Sequence, residues 1–186
     1  MKGDMGLGLN LITKEDCALV VIDVQERLMP VIAQKEIVLQ NILRTLRFAQ
    51  LLDIPVVITE QEKLGPTLPE IAAEAVRVQP VGKVFFNCFM SVEFEHNIKR
   101  LERKTLILAG VEAHICVAQT ALHALPSFKV HVLADAIGSR TIENRDLAIE
   151  RIRQAGATIT STEMFIYEIL QRAGTDKFKA ALQLVK

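Results

Sequence analysis

Residues 17–24 read CALVVIDV. A short, β-branched apolar run of this kind, bounded by polar residues, is the pattern of a strand buried on both faces of a parallel sheet. Working outward, apolar residues recur at helical spacing over 36–53, at Ile37, Leu39, Ile42, Leu43, Leu46 and Ala49. IPVVITE (54–60) is a second buried strand, with Pro55 near its start, where a missing N–H is tolerated. Gly65, Pro66 and Pro69 then break a loop before a short helix ending near residue 75. A less regular extended segment falls within 76–89, and a helix over 91–101 has Ser91 as its N-cap. KTLILAG (104–110) is a strand, 114–125 a helix stopped by Pro126, and 129–136 a strand. A helix over 144–156, a last strand over 157–162 and helical segments to the C-terminus complete the chain. Strands separated by helices build βαβ units, which need a parallel sheet covered by helices. The expectation is one α/β domain over 1–186, three-layered, with roughly six strands and a flexible segment over 1–12.

Composition narrows the function classes. Half of the 186 residues are hydrophobic, and 22 Lys and Arg balance 22 Asp and Glu. No basic patch accompanies stacking aromatics, so no nucleic acid is expected as a partner. No apolar stretch approaches the ~20 residues that span a bilayer, and the N-terminus does not read as a signal peptide. The three cysteines, Cys17, Cys88 and Cys116, form no C-x-x-C pair. That odd, sparse set suits a reducing compartment, and a cytoplasmic location is expected.

In an open parallel sheet, ligands bind outside the carboxyl ends of the strands, where strand order reverses. The residues just past each apolar run are therefore the informative ones. Asp23 ends the first run, and no glycine follows until Gly65, so a phosphate-cradling glycine turn is missing. Asp23 alone reads equally as a turn or capping carboxylate. Cys116 lies in the first turn of the helix after the 104–110 strand, where free N–H groups and the helix dipole favour a thiolate. Free cysteine is also a common inert core residue, so packing and chemistry both stand. Cys17 and Cys88 read as packing. Lys83, flanked by Val84, Phe85 and Phe86, reads as a surface lysine or as a partly buried one that needs a carboxylate. Together, Asp, Lys and Cys are a chemically complete set. The acid takes the thiol proton, the lysine keeps the acid ionised, and the helix start steadies developing negative charge. None of the four histidines, 96, 114, 123 and 131, is well placed to pair with Cys116.

VVIDVQERL, GKVFFNCF and LAGVEAHICVAQTALHAL resemble the three motif blocks of the isochorismatase-like cysteine hydrolases. The resemblance runs from about Cys17 to the C-terminus, and TEQEKLGPTLPE, LADAIGSR and ERIRQAGATITSTE are most similar to the branch of isochorismatase domain-containing proteins. It implies a six-stranded sheet in the order 3-2-1-4-5-6, with Asp23 as general base, Lys83 as the family's lysine and Cys116 as nucleophile. It further implies a cis Val111–Glu112 peptide, with the backbone amides of Glu112 and Cys116 forming an oxyanion hole. Two departures refine it. The Asp-x-His metal motif of nicotinamidases is absent after the second strand, so neither metal nor other cofactor is expected. Isochorismatases proper lack the cysteine and cleave an enol ether, so Cys116 points to acyl-enzyme chemistry instead. The expectation is a metal-independent cysteine hydrolase of a small amide-like or related C–N substrate, with Gln61, Phe85 and Phe86 on the pocket wall. Relatives commonly assemble, so a homo-oligomer is expected. The alternative is a catalytically silent interaction protein on the same fold.

Overall fold

A computed structural model describes residues 11–185. The flexible segment expected over 1–12 lies outside these residues except for Leu11 and Ile12. Ile12 is buried, and its N–H donates to Glu168 Oε1 at 2.7 Å.

Six strands form one parallel sheet, β1 (Cys17–Ile22), β2 (Val56–Gln61), β3 (Val81–Lys83), β4 (Thr105–Val111), β5 (Lys129–Gly138) and β6 (Thr158–Thr160), in the order 3-2-1-4-5-6. The helices are α1 (Lys35–Leu51), α2 (Pro69–Glu74), α3 (Val92–Arg100), α4 (Ala118–Ala124), α5 (Ile142–Gln154), α6 (Thr162–Leu170) and α7 (Asp176–Val185). Every residue of β1 and β4 is buried, as continuous apolar runs at the centre of a parallel sheet require.

The pleat divides those runs between two cores. Leu19, Val21, Ile107 and Ala109 pack with Phe48 of α1 and Phe165 of α6, whose rings meet edge-on at 5.7 Å. Ala18, Val20, Ile22, Leu106 and Leu108 pack with Phe94 and Ile98 of α3, with Val117 from the turn after β4 and with Ile152 of α5. Hydroxyls cap the N-termini of α3, α5 and α6. Ser91 accepts from the Phe94 N–H, Thr141 from Asn144 and Ser161 from Met164. No helix among the described residues is long and apolar enough to cross a membrane.

Three local departures from the expected elements bear on the site. β3 stops at Lys83, and Val84, Phe85 and Phe86 leave the sheet half-exposed before a 3-10 turn over Cys88–Met90. The helix after β4 begins as a π-turn over Ala113–Val117, in which Val117 N–H reaches back five residues to the Glu112 carbonyl. Such turns recur at functional sites. A 3-10 turn over Met29–Val31 fills the path between β1 and α1.

β1 and β4 lie side by side, with Ile22 opposite Gly110. Gly110 has φ +124°, and a Cβ there would sit 2.1 Å from the Ile22 carbonyl oxygen. Glycine is therefore required for the two strand ends to approach. The chains leaving them carry Asp23 and Cys116.

Candidate active site

Asp23 follows the last residue of β1 and turns the chain with φ +56°. Its carboxylate is fully buried and both oxygens are engaged. Oδ1 accepts from the Thr59 hydroxyl at 2.7 Å, and Oδ2 accepts from Lys83 Nζ at 2.7 Å. Thr59 lies opposite Ile22 in the neighbouring strand, so β2 itself presents the hydroxyl. Lys83 ends β3, two strands from β1, and its long stem crosses β2 to reach Asp23. Neither side chain of this ion pair is exposed. Lys83 Nζ also donates to Gln61 Oε1 at 2.8 Å and stands 3.9 Å from Cys116 Sγ.

Cys116 enters from the other side, on the π-turn after β4, and is 5% exposed. Burial, then the charge of Asp23, pushes its thiol well above the ordinary cysteine range, while Lys83 pulls it down. A hydrogen bond to Asp23 adds to the upward push. The resting sulfur thus lies beside a buried carboxylate, with the Lys83 ammonium 3.9 Å away. That arrangement suits general-base activation, in which the proton leaves only as the sulfur attacks. The other two cysteines are buried packing residues. Burial pushes Cys17 up to about 12 and Cys88 up to about 11.

The Val111–Glu112 peptide is cis, and the Glu112 carbonyl receives the Ile115 and Val117 amides. The Glu112 side chain, which sequence reasoning did not single out, is buried and binds Arg140 Nε at 2.6 Å and the Arg140 N–H at 3.2 Å. It also lies 3.4 Å from His114 Nδ1, which meets Ser139 Oγ at 3.0 Å. These contacts tie the turn after β4 to the end of β5. Thr59 was missed as well, since a threonine inside a strand is an ordinary β-former.

Gln61 stands at the end of β2 beside Lys83. Phe85 is 50% and Phe86 52% exposed. Phe85 lines a groove of about 440 Å³ with Glu62, Lys83, Met90 and Val92. Among the described residues, no three His, Cys, Asp or Glu side chains converge as a metal site would require.

The isochorismatase domain model matches residues 17–164. The chain belongs to the isochorismatase family. Within that family it is 35% identical over 181 residues to the mouse isochorismatase domain-containing protein 2A, covering 96% of this chain and 86% of that one. Among solved structures, the MAR1 ribonuclease of Caenorhabditis elegans superposes with a TM-score of 0.88 at 31% identity, covering 94% of this chain and 92% of that one. The YcaC product of Escherichia coli, described as an octameric hydrolase of unknown specificity, gives 0.88 at 27% identity, covering 94% and 88%. Isochorismatase-fold proteins thus share this chain's architecture over 94% of its length, and the chain is an isochorismatase-like hydrolase.

Proposed function

We propose that this isochorismatase-family hydrolase uses Cys116 as a nucleophile to open a C–N bond in a small amide-like substrate, without a metal or other cofactor. The observation that carries the reading is one buried ammonium, Lys83 Nζ, 2.7 Å from Asp23 Oδ2 and 3.9 Å from Cys116 Sγ. Asp23 takes the thiol proton as the sulfur bonds to the carbonyl carbon, and the carbonyl π pair moves to oxygen. The backbone amides of Glu112 and Cys116 receive that oxyanion. The tetrahedral intermediate collapses, the C–N bond breaks, and the leaving amine takes the proton from Asp23. Water, deprotonated by Asp23, then cleaves the thioester to release a carboxylic acid and restore the thiol. Lys83 aligns Asp23 and Cys116 throughout. Phe85 and Phe86 form an apolar rim, and Gln61 completes the wall beside Lys83.

Exposed Val84, Phe85, Phe86, Met90 and Val92 cluster within nine residues, an apolar density that a second copy of the chain would cover. That supports a homo-oligomer. The ribonuclease name belongs to the nematode protein. Here the balance of 22 basic and 22 acidic residues supports a small molecule, not nucleic acid, as substrate. The sparse cysteines support a cytoplasmic setting.

The test is turnover of a panel of small amides and ureas by wild type, Cys116→Ala and Asp23→Asn. Both variants should fold and lose turnover. Full activity in Cys116→Ala would sink the mechanism. A silent interaction protein would instead turn over nothing in any form, and its Cys116 would react with iodoacetamide no faster than an unactivated thiol and depend on pH like one.

A further inference from the structure

We propose that Gln61 does more than line the crevice: it is a positioning residue whose carboxamide holds the Lys83 ammonium in register with Asp23 and Cys116, and Gln25 in turn holds Gln61. The proposal rests on the cysteine hydrolase reading.

The geometry begins with a gap in the sheet. β1 ends at Ile22, paired with Thr59, and Asp23 then turns away. Gln61, two residues further along β2, has no strand residue beside it on the β1 side, so its N–H and C=O need other partners. The side chain of Gln25 supplies both. Gln25 Oε1 accepts from the Gln61 N–H at 2.8 Å, and Gln25 Nε2 donates to the Gln61 carbonyl at 3.0 Å. The same Nε2 donates to the Gly65 carbonyl at 2.6 Å. Gln25 is fully buried and acts as a surrogate strand residue.

The Gln61 side chain is then fixed at both ends. Its Nε2 donates to the Val84 carbonyl at 2.9 Å, and its Oε1 accepts from Lys83 Nζ at 2.8 Å. The orientation of the amide follows from chemistry. A lysine ammonium can only donate and a backbone carbonyl can only accept, so the oxygen must face Lys83. The ammonium has three N–H donors. Asp23 Oδ2 takes one and Gln61 Oε1 a second, which leaves the third for the Cys116 side, 3.9 Å away. Without Gln61 Oε1, the ammonium can swing about its contact with Asp23, and the sulfur loses a fixed positive neighbour.

The test uses the full chain and iodoacetamide, with alkylation of the Cys116 peptide followed by mass spectrometry across pH. Gln61→Leu removes both side-chain contacts. Gln61→Met is close in size, removes both the acceptor for Lys83 and the donor to Val84, and adds no charge beside the site. Both should displace the Cys116 profile to higher pH by about one unit, a roughly ten-fold slower reaction at a given pH on the rising limb. Cys17, whose thiol is remote from Lys83 and is shifted by burial, Arg103 and Asp16, should keep its wild-type rate. A merely structural role would lower the melting temperature and leave the profile in place. If Gln61→Leu does not fold, Gln61→Met decides. An activated wild-type Cys116 with an undisplaced profile in the folded variants overturns the Gln61 proposal alone. A wild-type Cys116 no faster than an unactivated thiol removes the hydrolase reading and this proposal with it.

Discussion

Replacing Lys83 by Met isolates the ion pair at the centre of the site. Methionine keeps most of the stem and removes the charge. In the native chain Nζ lies 2.7 Å from Asp23 Oδ2, and neither side chain reaches solvent. After the change Asp23 keeps the Thr59 hydroxyl on its Oδ1 but loses the ammonium on its Oδ2. Stranding one member of a buried pair costs about 3–5 kcal/mol. That is a large part of the ~5–15 kcal/mol that holds a domain together. With a urea slope of about 2 kcal/mol/M, the unfolding midpoint should fall by about 2 M. Asp23→Asn strands the lysine instead and should cost a similar amount, less the hydrogen bond to Gln61. The double variant, Lys83→Met with Asp23→Asn, has no stranded charge. Neutral replacements of a buried pair are often tolerated, so it should be no less stable than either single variant. The cycle should show a coupling of at least about 2 kcal/mol between the two positions. Urea unfolding followed by far-UV circular dichroism measures all four proteins. Single variants within about 1 kcal/mol of wild type, or strictly additive losses, would refute the reasoning.

Three further outcomes are expected. Gly110→Ala puts a Cβ 2.1 Å from the Ile22 carbonyl oxygen at φ +124°; left-handed strain and overpacking together cost about 2–6 kcal/mol, so the variant should melt about 10 °C lower or fail to fold, and an unchanged melt would contradict the close approach of β1 and β4. Cys17 is fully buried and its thiol is pushed up to about 12. Above pH 9 the unfolded chain gives up this proton and the folded chain keeps it, so the folded state binds more protons and stability falls as pH rises. Cys17→Ala should flatten that fall between pH 9 and 11 by up to about 1.4 kcal/mol per pH unit, and parallel slopes for the two proteins would count against it. Phe85→Ser with Phe86→Ser should shift the sedimentation profile towards smaller species, whereas unchanged assembly would remove this patch from the interface.

Much of the fold was legible because β1 and β4 advertise themselves. Six and seven consecutive buried positions leave little alternative to a central parallel strand. The third strand was harder. VFF after Lys83 has the composition of a strand, yet those side chains face outward, and only Val81–Lys83 pairs with β2. Of the site, Asp23 and Cys116 were visible as residues past apolar strands and Lys83 as a lysine among apolar neighbours, and the family resemblance joined them. The structure brings those three together. Thr59, Gln25 and the Glu112 carboxylate were hidden for a shared reason. Each acts through a partner distant in sequence: Thr59 through Asp23, Gln25 through the end of β2, and Glu112 through Arg140. No local pattern marks such contacts. The π-turn under Cys116 was read only as a helix start, since π and α turns share their composition.

The most direct test of the account is a covalent one. Wild-type protein is mixed with each small amide or urea that it turns over, quenched in acid within the first turnovers, and the Cys116 peptide is weighed. The account predicts a mass increase equal to the acyl part of the substrate, on Cys116 alone, lost on longer incubation and absent in Cys116→Ala. Turnover by wild type with no acyl group on Cys116 at any time, together with turnover by Cys116→Ala, would contradict it.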